Sequence, residues 1–311
     1  MTTVAPLIDP ELDADRLVAD PEVDELLQGA VDMHVHPAPS PFPRRITIAD
    51  AARDAASMGF HAIVVKSHHH CMQPDILSLG TELTALPITV ASGIALNDYV
   101  GGLNPYAVEL AIAFGAKVVW FPTVSSAAHI AFHQAHTHSK FPRSGVALRQ
   151  NKALSILDAD GKAKPEVHDI VEQIAAAGIV LNCGHLPAAE VEVLIATART
   201  AGVERIVVSH PAFVIDAPPA RVAEWARAGV FVEHCLIMLV GDPAVPPNLD
   251  VYRPFAGIGA AQTIFGSDLG QRGHPLPATG FRRIARMLLD DGEIAANVRR
   301  MVGANAAALL S

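Results

Sequence analysis

Residues 30–37 read Ala-Val-Asp-Met-His-Val-His-Pro, an apolar run that closes on a histidine pair, His34 and His36. Residues two apart on a strand point to the same face, so both imidazoles can converge on one point. A strand that ends in His-x-His before a proline suits a metal site at the rim of a parallel sheet. One such pair is weak evidence. Its weight comes from the runs that follow.

Seven further apolar runs lie at residues 62–66, 88–96, 117–122, 179–185, 205–210, 230–236 and 263–268. Their near-continuous apolar character is that of parallel strands covered on both faces. Between most of them lie alanine-rich amphipathic segments, at 48–58, 106–114, 166–177, 188–201 and 220–228, each followed by a glycine: Gly59, Gly115, Gly178, Gly202 and Gly229. Glycine tolerates the left-handed conformation that ends a helix, so it is the expected stop. Eight strands alternating with helices predict a (β/α)8 TIM barrel, which routinely runs to about 250 residues or more as one domain. A doubly wound open sheet is the competing architecture.

Two segments stand outside this rhythm. Residues 10–28 place aliphatic side chains at helical spacing (Leu12, Leu17, Val18, Val23, Leu26, Leu27), which predicts one or two helices. Residues 1–29 are thus read as a helical extension of a single 1–311 domain. Residues 125–164 run to about three times the usual loop length. They carry His129, His133, His136, His138, Lys140, Arg143 and Arg149. This stretch is expected to be a lid over the barrel mouth, with its histidines on the surface.

Composition narrows the class. The 311 residues are 50% hydrophobic with mean hydropathy +0.30, enough to bury a large core. A formal charge of −9 argues against a nucleic-acid surface, which needs a basic patch. Fifteen histidines stand against three cysteines, and Cys71, Cys183 and Cys235 have no Cys-x-x-Cys spacing. A zinc ribbon or disulfide framework is therefore not expected, and a reducing cytoplasm fits. The acidic start of the chain is unlike a signal peptide, and no apolar stretch is long enough to span a membrane. The expected partner is a small-molecule substrate. Self-association into a homo-oligomer is left open.

In such a barrel, active sites form at the C-terminal ends of the strands. His34 and His36 end the first run, Lys66 the second, His185 the fifth, His210 the sixth and Asp268 the eighth. Five of eight strands thus finish in a group that can bind metal or move protons. Imidazole and carboxylate donors favour zinc, with manganese, nickel, cobalt or iron as alternatives. His68 shares the face of Lys66 and is expected to contact substrate, as is Arg143 from the insertion. Bland readings compete: Asp268 as the cap of a following helix, Lys66 as a solvated loop residue. Glu233 and His234 lie within the seventh run, where either faces the site or Glu233 sits in a structural ion pair. Gly257-Ile258-Gly259 lacks the context of a dinucleotide loop, and no Gly-x-Ser-x-Gly elbow is present.

Four pieces carry a family resemblance: Val-Asp-Met-His-Val-His-Pro (31–37), Asn-Cys-Gly-His (182–185), Val-Val-Ser-His-Pro (207–211) and Phe-Gly-Ser-Asp (265–268). Residues 302–310 add a closing helix of familiar type. Together they resemble the metal-dependent amidohydrolase superfamily. The resemblance implies that His34, His36 and Asp268 hold one divalent ion and His185 and His210 a second. With a single ion, His185 would ligate it and His210 would polarise the substrate carbonyl. Asp268 would accept a proton from water and pass it to the leaving group. One departure is plain: two-metal members often take a bridging lysine or glutamate from the fourth strand, and residues 118–123 offer neither. Lys66 could supply that bridge as a carbamate, or act as an ammonium toward an anionic substrate.

The resemblance implies hydrolysis of an amide, cyclic amide or ester-like bond in a small molecule. A metal-dependent decarboxylase or lyase is the alternative, and a non-catalytic metal-binding barrel the third reading.

Overall fold

Each apolar run forms a strand, and the eight strands pair in chain order, all parallel. They are β1 (Val31–Val35), β2 (Ala62–Val65), β3 (Thr89–Ala95), β4 (Val118–Trp120), β5 (Val180–Asn182), β6 (Ile206–Ser209), β7 (Phe231–Cys235) and β8 (Thr263–Gly266). The ring closes where Val35 bridges Leu269 in parallel and the His36 N–H donates to the Leu269 carbonyl at 2.8 Å. This is the (β/α)8 barrel, not the open sheet. The computed structural model describes residues 7–136, 144–242 and 246–311.

Among the described residues twelve α-helices accompany the strands: α1 (Pro21–Leu26), α2 (Ile48–Ser57), α3 (Gln73–Ser78), α4 (Gly80–Thr84), α5 (Pro105–Ala113) and α6 (Ala127–Ala135), then α7 (Pro165–Ala177), α8 (Ala188–Thr200), α9 (Pro219–Arg227), α10 (Pro277–Asp290), α11 (Ala295–Arg299) and α12 (Asn305–Leu310). Their ends follow from local chemistry. Thr47 and Asp50 form a reciprocal capping box at the start of α2. Gly178, with φ 62°, closes α7 in the left-handed region.

The apolar side chains sort into three layers. Val31, Met33, Val64, Val118, Trp120, Val180, Val207 and Ile264 fill the barrel interior, and Ala306 and Leu309 of α12 join that cluster. A second cluster joins β1, β2 and β8 to α2 and α10, and a third joins β3–β7 to α5, α7, α8 and α9. No helix among the described residues is long and apolar enough to cross a membrane.

The helix or two expected over 10–28 are a 3-10 turn at Ala14–Arg16 and the short α1. Asp20 caps α1 and Pro21 begins it, so the chain is interrupted there, and Leu17 and Val18 stay exposed. The strands stop short of the predicted tips. Lys66 and His210 lie one residue past their strands, Asp268 two and His185 three. The groups that matter sit in the first loop residues, where His210 (φ 55°) and Asp268 (φ 53°) adopt left-handed backbone. Non-glycine residues rarely do so, and such strain collects at functional sites.

Candidate active site

His34 is the centre of the barrel mouth. Its Nδ1 meets the Glu233 carboxylate at 3.2 Å, which fixes N–H at that position because a carboxylate only accepts. Glu233 is held in turn: Ser209 donates to it, and the Asn182 amide donates to Ser209 at 2.8 Å. Gly266 makes room, since a Cβ there would lie 2.2 Å from Glu233 Oε1. A chain of side chains from β5, β6 and β7 thus reaches across the barrel to orient one ring of β1. Burial would raise the Glu233 carboxyl, but His34 and Ser209 overcome this and hold it below its ordinary value.

With Nδ1 occupied, His34 Nε2 is an acceptor. It lies 3.0 Å from Lys66 Nζ and 3.5 Å from Asp268 Oδ1. His36 repeats the logic from the other side. Its Nδ1 meets the Lys66 carbonyl at 2.9 Å and must donate, so in the neutral ring Nε2 is an acceptor. That acceptor faces Asp268 Oδ1 at 3.0 Å. Burial pushes His36 down to about 3, so the ring is neutral at ordinary pH. Two acceptors facing each other at this separation call for a cation between them. Zinc–nitrogen and zinc–oxygen bonds of ~2.0–2.2 Å at tetrahedral angles place donor atoms about 3.3 Å apart. The His34, His36 and Asp268 donors fit a divalent ion on that test.

The Asp268 carboxylate is shared three ways. His210 Nε2 lies 3.6 Å from Oδ2. Burial would raise the Asp268 carboxyl, yet His34, His36 and His210 hold it well below the usual carboxylate range. Asp268 does not cap a helix, because α10 begins nine residues later at Pro277.

On the β5–β6 side the anchoring is different. His185 Nδ1 meets His129 Nδ1 at 2.9 Å, with the two rings stacked, and the buried His185 Nε2 has no partner. The buried Nδ1 of His210 is also without one. Burial, before any charge effect, lowers His185 well below its ordinary value and His210 to about 4. Both rings are therefore neutral and ready to coordinate or accept.

Lys66 is buried beside them, not solvated. Its Nζ lies 5.2 Å over the Trp120 ring, and desolvation lowers its pKa against the pull of Asp268 and Glu233. Trp120 is the inward residue of β4, so that strand brings an indole where a bridging ligand was missing from the sequence. His68 also lines the mouth, its Nδ1 3.0 Å from Thr123 Oγ1. Arg143, with His138 and Lys140, lies outside the described residues.

Several residues escaped the sequence reading. The insertion histidines were expected at the surface, but α6 turns His129 into the site, where it is buried. Strand alternation could have placed Cys235 beside Glu233: its Sγ lies 3.6 Å from His210 Nε2 and 3.7 Å from His34 Nδ1. Burial and nearby carboxylates hold it as a thiol. The same alternation turns His234 outward, against Tyr252, Phe255 and Phe265. Arg44 and Gln271, in the loops after β1 and β8, line the same cavity of about 450 Å³. No sequence signal singled them out.

Comparison with known proteins bears on the family and the fold. The model of a family of unknown function, DUF6282, matches residues 29–233, which include His34, His36, Lys66, His185, His210 and Glu233. No curated protein matches. Among solved structures, an amidohydrolase from Pseudomonas aeruginosa superposes with a TM-score of 0.59 at 12% identity, over 93% of this chain and 98% of that one. A dihydropyrimidinase from Brevibacillus agri gives 0.52 at 14% identity, over 88% of this chain and 68% of that one. A variant organophosphorus hydrolase from Deinococcus radiodurans gives 0.52 at 18% identity, over 93% and 94%. At these identities the likeness is one of fold.

Proposed function

We propose a metal-dependent hydrolase: the chain belongs to the DUF6282 family, and its barrel mouth is arranged to hold a divalent ion beside a proton-accepting carboxylate. The observation that carries this reading is the close approach of the buried His36 Nε2 to Asp268 Oδ1 at 3.0 Å, two acceptors that a cation would reconcile. His34, His36 and Asp268 would hold the ion, with zinc the first choice. A divalent ion here supplies Lewis acidity and brings the pKa of a coordinated water toward ~7.

The remaining roles belong to the chain. Asp268 accepts the proton of the attacking water and delivers it to the leaving group. His185 and His210, both neutral, bind a second ion or orient the substrate carbonyl. Lys66 supplies the anionic ligand that β4 lacks: its depressed pKa favours the free amine, which adds CO2 with loss of one proton to give a carbamate. An amide, cyclic amide or ester-like bond of a small molecule is the substrate class, and the solved structures that share the fold include an amidohydrolase and a dihydropyrimidinase. A cavity of about 450 Å³ accommodates such a molecule.

Metal analysis of protein purified without chelators, followed by turnover of hydantoins, lactones and N-acyl amino acids in H2-18O, tests the reading. Near-stoichiometric metal and solvent 18O in the product are expected. Release of CO2 would move the assignment to a decarboxylase, and binding without turnover to a non-catalytic barrel. Metal content below ~0.3 equivalents with no activation by added divalent ions would sink it.

A further inference from the structure

Two adjacent arginines in the loop after β1 behave differently. Arg45 is fully used: it bonds Asp13, the His274 carbonyl at 2.9 Å and the Leu7 carbonyl at 2.9 Å. Arg44 makes no hydrogen bond or ion pair among the described residues, and its Nε is buried without a partner. Its guanidinium rests 5.9 Å from the Phe42 ring centroid, and both residues line the cavity that holds His34, His36 and Asp268. Asp268, the carboxylate whose charge acts on Arg44, is shared by three imidazoles, and Asp242 in the same cavity has a partner of its own. A desolvated guanidinium with no carboxylate of its own, in the wall of a ligand cavity, is a receptor for an anion. Burial lowers Arg44 only to about 10, so it remains charged.

Gln271 stands next to it. The two backbones form an antiparallel bridge, and the Gln271 side chain also faces the cavity. Its Nε2 donates to the Asp268 carbonyl at 2.8 Å, which fixes the amide: a flip would set oxygen against oxygen. Oε1 is therefore an acceptor, and it is buried with no partner. An unpaired cationic fork and an unpaired acceptor sit side by side at the mouth.

We infer that the substrate bears a carboxylate next to an N–H, the carboxylate taken by Arg44 and the N–H by Gln271 Oε1, as in an N-acyl amino acid. This deepens the hydrolase reading and rests on it for the cavity being a substrate pocket. Hydrolysis then balances simply: water adds to the acyl carbon, the C–N bond breaks, and the amine leaves with the proton that Asp268 carries. The planar fork of one guanidinium matches a carboxylate bidentately.

Calorimetry with probes that resist hydrolysis separates the inference from turnover. N-(methylsulfonyl)glycine keeps the carboxylate and the N–H, and its carboxamide lacks only the charge. The metal-loaded wild type is expected to bind the acid about 10-fold or more tightly than the carboxamide. Arg44→Gln should abolish that preference, Arg44→Lys should keep part of it, and Gln271→Leu should weaken both probes. Equal binding of acid and carboxamide by the wild type, or undiminished preference in Arg44→Gln, overturns the inference. So does an Arg44-dependent preference for methyl phosphate over the acid, or no binding of the acid up to roughly 10 mM. A protein that binds the acid through Arg44 yet hydrolyses nothing defeats the hydrolase reading and leaves this assignment standing.

Discussion

The two edges of the barrel mouth are built from the same residue type and anchored in opposite ways. On the β1–β8 edge, His34 and His36 are pinned from behind by Glu233 and by the Lys66 carbonyl, both parts of the barrel wall. On the β5–β6 edge, His185 leans on His129 of the insertion, and His210 Nδ1 has no partner. A ring whose far nitrogen is hydrogen-bonded to a carboxylate or carbonyl has a fixed tautomer and a fixed direction, which is how proteins preorganise metal ligands. The first edge is thus set by the fold itself. The second depends on α6 of the insertion, whose His129 and His133 line the cavity.

The largest effect expected on the first edge is chemical. Asp268→Asn keeps the shape and some coordinating ability of the side chain but removes the base. We expect a loss of at least ~10²-fold in kcat, since a placed proton acceptor typically contributes 10²–10⁴-fold. The protein should remain folded and retain substantial metal. Near-normal turnover with metal present would reassign the carboxylate to a purely structural role.

The comparison itself is tested by removing the support behind each edge. Glu233→Gln preserves the size of the group behind His34 and removes its charge. A chelator competition assay should register a ~10–100-fold loss of affinity for the tightly held ion, the usual consequence of losing such a partner. His129→Ala, behind His185, should leave that ion in place and act on KM instead. Equal losses of metal in the two variants would erase the distinction between the edges.

Lys66 decides whether the edges share a bridge. Its Nζ lies 3.0 Å from the nitrogen of His34 that would face the ion, so an ammonium there opposes the ion's charge. A carbamate removes the conflict. Lys66→Ala should therefore lose metal, and a short-chain carboxylic acid should restore part of the activity. Unchanged metal with a raised KM would make Lys66 a substrate-binding cation.

Much of this site was legible because its ligands end apolar runs. His34, His36, His185, His210 and Asp268 each stand at the boundary where a strand pattern stops, and Lys66 does the same on β2. What the sequence concealed depended on long-range packing. His129 looked like one of several polar insertion residues until α6 laid it against His185. Arg44 and Arg45 are indistinguishable as neighbours in a chain, and only the positions of Asp13 and the Leu7 and His274 carbonyls make one structural and leave the other unpaired. Glu233 and His234 were ambiguous because a strand covered on both faces has no polar side from which to read its phase. The strand tips were placed too late, because an apolar pattern carries past the last ladder hydrogen bond into the loop.

That phase provides the smallest effect and the control for the rest. His234 is buried outside the barrel against Tyr252, Phe255 and Phe265, with Nε2 unpartnered, and burial pushes it down to about 3. A histidine held neutral in the folded state and titrating near 6.5 when unfolded contributes its full stability above pH 6.5. That contribution is lost as the pH falls toward 3, because the unfolded chain then binds a proton the folded one excludes. Between pH 8 and pH 6 the loss from one such group is about 0.8 kcal/mol. His234→Leu should therefore flatten the pH dependence of unfolding by that amount in urea melts at the two pH values. It should leave metal content and kcat unchanged, because the ring packs against Tyr252, Phe255 and Phe265 and not among the proposed metal ligands. An altered metal content in this variant would mean that β7 presents its other face to the ion, and the roles assigned to Glu233 and His34 would fall with it.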